Sequence, residues 1–188
     1  GTNGLDLHVV NERARSLSGE LGIDVYRDGE LRIAEGRRRI EVAGRSVLRM
    51  PAMSLLDAFL DLNFAYRFGP PSHDVVVATL LADGACVARS IYTLAGARTR
   101  QHEDIGLAAS AQPADGGGFS VDVSTRRFAY CVSFDVEGFD PDEQYFSLAP
   151  GESRRVRLRP APGSRPRSLH GHVCALNAVK SAPLNPVT

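Results

Sequence analysis

The chain of 188 residues contains no tryptophan, only three cysteines and a single lysine, Lys180. Tryptophan is the side chain most used as a flat apolar platform, so its absence disfavours sugar binding by stacking. The 22 basic residues are balanced by 22 acidic ones, and nucleic acid is not predicted as a partner because phosphate binding needs a basic excess. No apolar run approaches the length of a membrane span and no secretory signal opens the chain, so no membrane partner is predicted.

The cysteines, Cys86, Cys131 and Cys174, are too few for a disulfide scaffold. We predict three buried free thiols, with a Cys131–Cys174 pair as the alternative. The compartment of the protein therefore stays open. The chain begins at Gly1 without a methionine, and we interpret it as a piece of a larger protein or a processed product.

Short runs of alternating apolar and polar residues dominate the first half of the chain. Leu17 to Val25 alternates strictly, and Val75 to Leu81 is the continuous apolar run of a buried strand. Asp28-Gly29 and Asp83-Gly84 are dipeptides typical of two-residue hairpin turns. These features predict a first β-sandwich over residues 1–95.

One short segment has a helical pattern. Ser54 stands where a capping residue would lie, Asp57 follows three positions later, and apolar residues come after it. We predict at most one short helix, near Leu55 to Leu60.

The second half repeats the strand pattern after a polar, arginine-rich linker predicted over residues 96–104. Phe119 to Val123 and Ala129 to Asp135 alternate, with glycine-rich turns between the runs. We predict a second immunoglobulin-like sandwich over residues 105–188, with a C-terminal tail after Pro160 in which Leu169 to Val179 is a candidate for one last strand. The fold class is therefore all-β, two immunoglobulin-like β-sandwiches in tandem.

A closing hairpin is predicted from Tyr145 to Leu158, with its turn at Pro150-Gly151. Its period of two predicts which side chains enter the core: Leu148, Val156 and Leu158. The intervening residues should face solvent: Arg155, Arg157 and Arg159.

Several groupings of polar residues are candidates for chemical sites. Asn11-Glu12 is a dipeptide seen at the acid/base of many retaining glycosidases, but it ends a strand with no second carboxylate in a recognisable motif, so a solvated strand end is favoured. Arg37-Arg38-Arg39 is interpreted as the solvated part of a hairpin. The tyrosines Tyr26, Tyr66, Tyr92 and Tyr130 are assigned mainly to core packing.

Two groupings have metal-ligand residue types. An acidic loop could offer oxygen ligands to calcium, but it lacks the EF-hand spacing; it comprises Asp135, Glu137, Asp140, Asp142 and Glu143. His170, His172 and Cys174 would share one face of a strand, as zinc ligands do, but a fourth ligand is not evident. We therefore predict no metal, no cofactor and no catalytic residue in this chain.

The motifs together resemble a known family. Leu7 to Glu12 followed by Leu17 to Leu21 resembles the strand that begins the sandwich after the catalytic barrel of glycoside hydrolase family 2 β-mannosidases. Asp74 to Leu81 with Asp83-Gly84 resembles a strand pair of the same region. Tyr145 to Glu152 is similar to the closing motif of the terminal immunoglobulin-like domain of that family.

The resemblance runs from about Leu5 to Leu158. It departs from the family where Gln144 replaces the usual asparagine before the Tyr-Phe pair, and the tail after Pro160 has no counterpart. It implies a parent enzyme that removes terminal β-linked mannose with retention, using two glutamates on a barrel. Neither glutamate's motif is present here, so no catalytic residue is carried over.

The resemblance therefore implies a non-catalytic C-terminal accessory region, partnered by the catalytic barrel of the same polypeptide and making at most weak contact with a mannoside. An autonomous carbohydrate-binding module is the alternative, which the missing tryptophans disfavour. A catalytic domain has no supporting motif, and a two-sandwich interaction protein is the remaining hypothesis.

Overall fold

The computed structural model describes residues 4–63, 69–94, 101–164 and 168–184. The chain divides into two compact units, residues 1–97 and 98–188. The regular structure of the described residues is strand, apart from two 3-10 helices, Ala52–Leu55 and Asp115–Gly117. The predicted all-β class is confirmed.

The first unit places a two-stranded sheet, in the order β1-β4, beside a four-stranded sheet in the order β3-β2-β5-β6. All pairings within these two sheets are antiparallel. The six strands are β1 Asp6–Asn11, β2 Leu17–Arg27, β3 Leu31–Val42, β4 Ser46–Pro51, β5 Val75–Ala82 and β6 Ala85–Thr93.

Both predicted hairpins form in the four-stranded sheet. Asp28 and Gly29, between β2 and β3, have φ of 54° and 62°, and Asp83 and Gly84, between β5 and β6, have φ of 52° and 76°. Positive φ at both central residues is the requirement of the turn that matches the twist of paired strands. Ile23 of β2 is fully buried in the core of this unit.

Near Leu55–Leu60 the only helix among the described residues is the 3-10 helix Ala52–Leu55, which is within the predicted limit of one short helix but lies earlier than the pattern indicated. The 3-10 helix ends at Leu55, and the Ser54 hydroxyl donates backward to the Pro51 carbonyl at 2.7 Å instead of capping a helix. Leu56 is extended. Leu55 is held against β3, where a side chain on Gly36 would collide with the Leu55 carbonyl oxygen. Burial of Leu55 in the core therefore overrides the helical pattern that follows it.

The second unit has two four-stranded sheets, in the orders β10-β12-β8-β7 and β11-β9-β13-β14. Their inward side chains form one core cluster that includes Val121, Leu148 and Val173. The strands are β7 Ala108–Ala114, β8 Gly118–Ser124, β9 Ala129–Val136, β10 Phe139–Pro141, β11 Phe146–Leu148, β12 Ser153–Pro160, β13 Gly171–Cys174 and β14 Ala182–Pro183.

The closing hairpin does not form. β11 pairs with β9, whereas β12 pairs with β8 and β10, so the turn at Pro150-Gly151 carries the chain from one sheet to the other. The predicted faces are nevertheless confirmed: Leu148, Val156 and Leu158 are fully buried, and the three alternating arginines of β12 are exposed. The period of two fixes which face is buried but does not specify the partner strand.

The segment predicted as a tail belongs to the second sandwich. β13 pairs with β9 on one side and β14 on the other. Leu169, Val173 and Leu184 are each at most 1% exposed. Within the predicted linker, His102 exchanges backbone hydrogen bonds of 3.0 and 2.9 Å with the 177–179 segment of this unit, and residues 95–100 lie outside the described ranges.

The cysteine prediction is partly wrong. All three thiols are free, but Cys86 is exposed and Cys131 and Cys174 are only half-buried. Cys174 lies opposite Ser133 in the ladder, so register places no cysteine directly across from it.

Candidate functional site

Asn11 is a structural residue. Its side chain is 3% exposed, and the side-chain amide donates to the carbonyls of Arg15 and Val42 at 2.8 and 3.0 Å. Its Oδ1 accepts from the Arg13 backbone N–H at 3.1 Å. Glu12 beside it is exposed. The Asn11 side chain thus ties the end of β1 to the segments that follow β1 and β3, and its Nδ2 donors are already used within the protein.

The acidic loop is also used structurally where its contacts are described. Asp142 accepts from the Arg157 backbone N–H at 2.9 Å, and Glu143 pairs with Arg154 at 2.7 Å. Within the described part of the chain, no group of three or more His, Cys, Asp or Glu side chains is arranged to hold a metal ion. The loop therefore offers no calcium cage there.

The His170, His172 and Cys174 series is not one ligand set. His170 precedes β13 and its Nε2 lies 2.8 Å from the Ser168 hydroxyl, while exposed His172 lies opposite Asp135. Burial, and secondarily the Asp135 charge, raise the pKa of the Cys174 thiol. A raised pKa keeps this thiol protonated at neutral pH, which makes it a poor metal ligand and nucleophile.

A charged network that the sequence did not predict lies on the four-stranded sheet of the first unit. Asp24 of β2 is 8% exposed, and Arg37 of β3 donates to both of its carboxylate oxygens at 2.8 and 2.9 Å. Arg37 also donates to the Ile23 carbonyl at 2.8 Å, and Arg32 pairs with Asp24 at 3.3 Å. Arg37 is exposed, as predicted for the solvated part of a hairpin, but its guanidinium is anchored to Asp24.

The electrostatics of this network are consistent with a structural role. Burial lowers the pKa of Arg37, but the hydrogen bond and charge of Asp24 outweigh it and hold that pKa above its ordinary value. Burial, and then the Asp24 carboxylate, raise the pKa of Tyr26. These two shifts keep Arg37 charged and Tyr26 neutral near pH 7.

Gln144 shows how the departure from the family motif is accommodated. Its side-chain Oε1 accepts from the Phe134 N–H at 2.8 Å and its Nε2 donates to the Phe134 carbonyl at 3.1 Å. The side-chain amide thereby makes the two hydrogen bonds to Phe134 of β9 that a neighbouring strand would make with its backbone. The next residue, Tyr145, has a φ of 60° and is 71% exposed.

No helix in the described residues is both long and apolar enough to span a membrane. The sequence-derived candidates are either engaged in structural hydrogen bonds or separated from one another.

No protein-family model matches the sequence, and no curated protein matches it. Solved structures do. The chain is similar to a β-D-mannosidase from Dictyoglomus thermophilum, with 13% identity and a TM-score of 0.66, over 100% of this chain and 21% of that one. It is also similar to the exo-chitosanase CsxA from Amycolatopsis orientalis, with 13% identity and a TM-score of 0.57, over 95% of this chain and 25% of that one.

These similarities define a shared all-β fold. The chain spans only about a fifth to a quarter of the length of the two enzymes. At this level of identity the similarity shows the fold alone, an all-β arrangement that the chain shares with part of each of the two enzymes.

Proposed function

We propose that this chain is the non-catalytic C-terminal accessory region of a glycoside hydrolase of the β-mannosidase type. Its role is to pack against the catalytic barrel of the parent polypeptide and support it, while the barrel hydrolyses terminal β-D-mannose residues. The observation that carries this proposal is that the whole chain matches one fifth of a β-D-mannosidase.

The chemistry of the described residues favours a structural role over a catalytic one. Retaining glycosidases need an acid/base and a nucleophile whose carboxyl groups are about 5 Å apart. The best-buried carboxylate here, Asp24, is neutralised by Arg37, and Glu143 is paired with Arg154. Both carboxylates are already engaged by an arginine of this chain, at 2.8 and 2.7 Å.

We predict that the isolated chain releases no nitrophenol from nitrophenyl β-mannoside, because the two-carboxylate machinery lies on the proposed barrel. The measurement is absorbance of nitrophenol with purified protein. The matched control is the Asp24→Asn variant, which removes the best-buried carboxylate. Turnover that persists through purification and disappears in this variant would refute the accessory role.

Binding separates this proposal from a carbohydrate-binding module. Without tryptophan platforms, we expect affinity for manno-oligosaccharides weaker than about 1 mM, or roughly −4 kcal/mol. Titration calorimetry that finds tighter binding would favour the module. The coding DNA upstream of Gly1 tests the parent directly: a barrel with two catalytic glutamates is expected there, and an unrelated domain would overturn the proposal.

A further inference from the structure

The first unit contains an open groove beside strand β1, with a volume of about 360 Å³. One wall is β1 itself, from Asp6 to Val10. Adjacent residues of a strand point to opposite faces of its sheet. Since five consecutive residues line one groove, the groove runs along the edge of β1 rather than over one of its faces.

That edge carries backbone groups ready for pairing. Among the strands that the structure describes, β1 pairs only with β4. The Ala52 N–H donates to the Leu5 carbonyl at 2.8 Å on the β4 side. Because hydrogen-bonded and non-hydrogen-bonded pairs alternate in an antiparallel ladder, Leu7 and Val9 bond to β4. The N–H and C=O groups of Asp6, His8 and Val10 then point into the groove.

The floor of the groove is mainly apolar and belongs to the four-stranded sheet. Leu21, Ala78, Leu80 and Ala88 line it, from β2, β5 and β6, and Arg89 and Ser90 of β6 complete the lining. β6 is exposed from Ala85 through Ser90. The two-stranded sheet therefore covers only part of the four-stranded sheet, and one further strand beside β1 would cover Leu80 and Ala88 of the uncovered part.

We propose that this groove binds an extended polypeptide strand, which pairs with β1 through the backbone groups of Asp6, His8 and Val10. Alternate side chains of that strand would be small and apolar and would rest on Leu80 and Ala88. The proposal rests on the proposed function, because the strand comes from the parent polypeptide outside these 188 residues. In the similar β-D-mannosidase, about four fifths of the chain lies outside this fold.

The groove does not suit two other occupants. A sugar would need an aromatic platform, and the described lining includes no Trp, Tyr or Phe side chain. A second copy would pair β1 with β1 about a twofold axis perpendicular to the sheet. That axis puts the four-stranded sheets of the two copies in the same layer. In each copy this sheet extends past β1 by strands β5 and β6, so the two sheets would collide.

The test is amide hydrogen exchange, read residue by residue by NMR, on the complete 188-residue chain with a tethered probe. The probe is an eight-residue strand of alternating threonine and valine, joined to Gly1 by a ten-residue Gly-Ser linker that raises its local concentration. We expect the exchange of the Asp6, His8 and Val10 amides to slow at least about tenfold, while Leu7 and Val9 are already protected. An extension of equal length with proline at alternate positions is the matched control.

Two variants keep the result interpretable. His8→Pro removes an N–H that the β4 ladder does not use, and Ala88→Glu places a charge on the floor without touching β1. Both should abolish the added protection while Leu7 and Val9 stay protected. The proposal is overturned if the three edge amides stay unprotected with the probe, or if the proline control protects them equally. It is also overturned if they become protected in the untethered chain as its concentration rises. None of these readouts depends on the upstream coding sequence. Failure of the groove proposal can therefore be told apart from failure of the proposed parent enzyme.

Discussion

At the scale of single residues, Gly22 decides whether Arg37 can reach Asp24. A Cβ on Gly22 would lie 2.7 Å from Cδ of Arg37, so the arginine crosses β2 only because this position has no side chain. The arginine in turn supplies the bidentate partner of a carboxylate that is 8% exposed. Bidentate guanidinium–carboxylate pairs are among the stronger polar contacts in proteins.

We predict that Gly22→Ala lowers the free energy of unfolding by about 1–3 kcal/mol, because Arg37 must move and Asp24 is left poorly paired. Urea unfolding of the complete chain measures this change. The control is the same substitution in an Arg37→Ala background, where the space is already empty and the added cost of Gly22→Ala should be small. An equal cost in both backgrounds would show that crowding of Arg37 is not the cause.

At the scale of elements, strands β11 and β12 close the second sandwich from opposite sides. Leu148 enters the core from one sheet, and Val156 and Leu158 enter it from the other. The turn between them is fixed by Glu152, whose carboxylate accepts from the Ala149 N–H at 2.7 Å. The opposite face of β12 is solvated, and Arg155 there pairs with Asp122 of β8 at 2.8 Å.

We predict that Leu148→Ala and Leu158→Ala each cost about 2–5 kcal/mol of stability, the usual range for a fully buried leucine. Arg157→Ala should cost no more than about 0.5 kcal/mol, because this side chain is exposed and the hydrogen bonds to Asp142 are made by the Arg157 backbone. Denaturant melts of the three variants provide the comparison. A larger loss for the arginine variant would contradict the solvated assignment of that face.

At the scale of the whole molecule, the described residues form two separate core clusters. The first includes Ile23 and Leu55, and the second includes Val121 and Leu169. Each cluster lies within one of the two compact units. Domains with their own cores generally fold as separate units.

We predict that the two units unfold independently. Ile23→Ala should accelerate amide exchange within residues 1–97, and Leu169→Ala within residues 98–188, each by the loss of about 2–5 kcal/mol of local stability. Mass-spectrometric hydrogen exchange of both variants resolves the two halves. If either substitution accelerated exchange equally in both halves, the chain would be one cooperative unit.

The candidate site depends on contacts that the spacing of residues in the sequence does not specify. The spacing of His170, His172 and Cys174 predicts one shared strand face. It does not show that His170 precedes β13 and contacts Ser168. The pair Asp24–Arg37 is 13 residues apart and was missed, although a buried-strand aspartate opposite an arginine-rich strand was a usable signal. The groove beside β1 had no sequence signal, because β1, β5 and β6 are far apart in the chain.

By itself the sequence determined the all-β class, the two hairpin turns and the inward face of β12. These features depend on local backbone geometry at Asp28-Gly29 and Asp83-Gly84 and on the alternation of side chains along one strand. Only the tertiary structure decided which strands pair, that residues 168–184 complete the second sandwich, and that one edge of β1 faces an open groove. Strand pairing depends on contacts between distant segments, and a local apolar pattern satisfies many partners equally well.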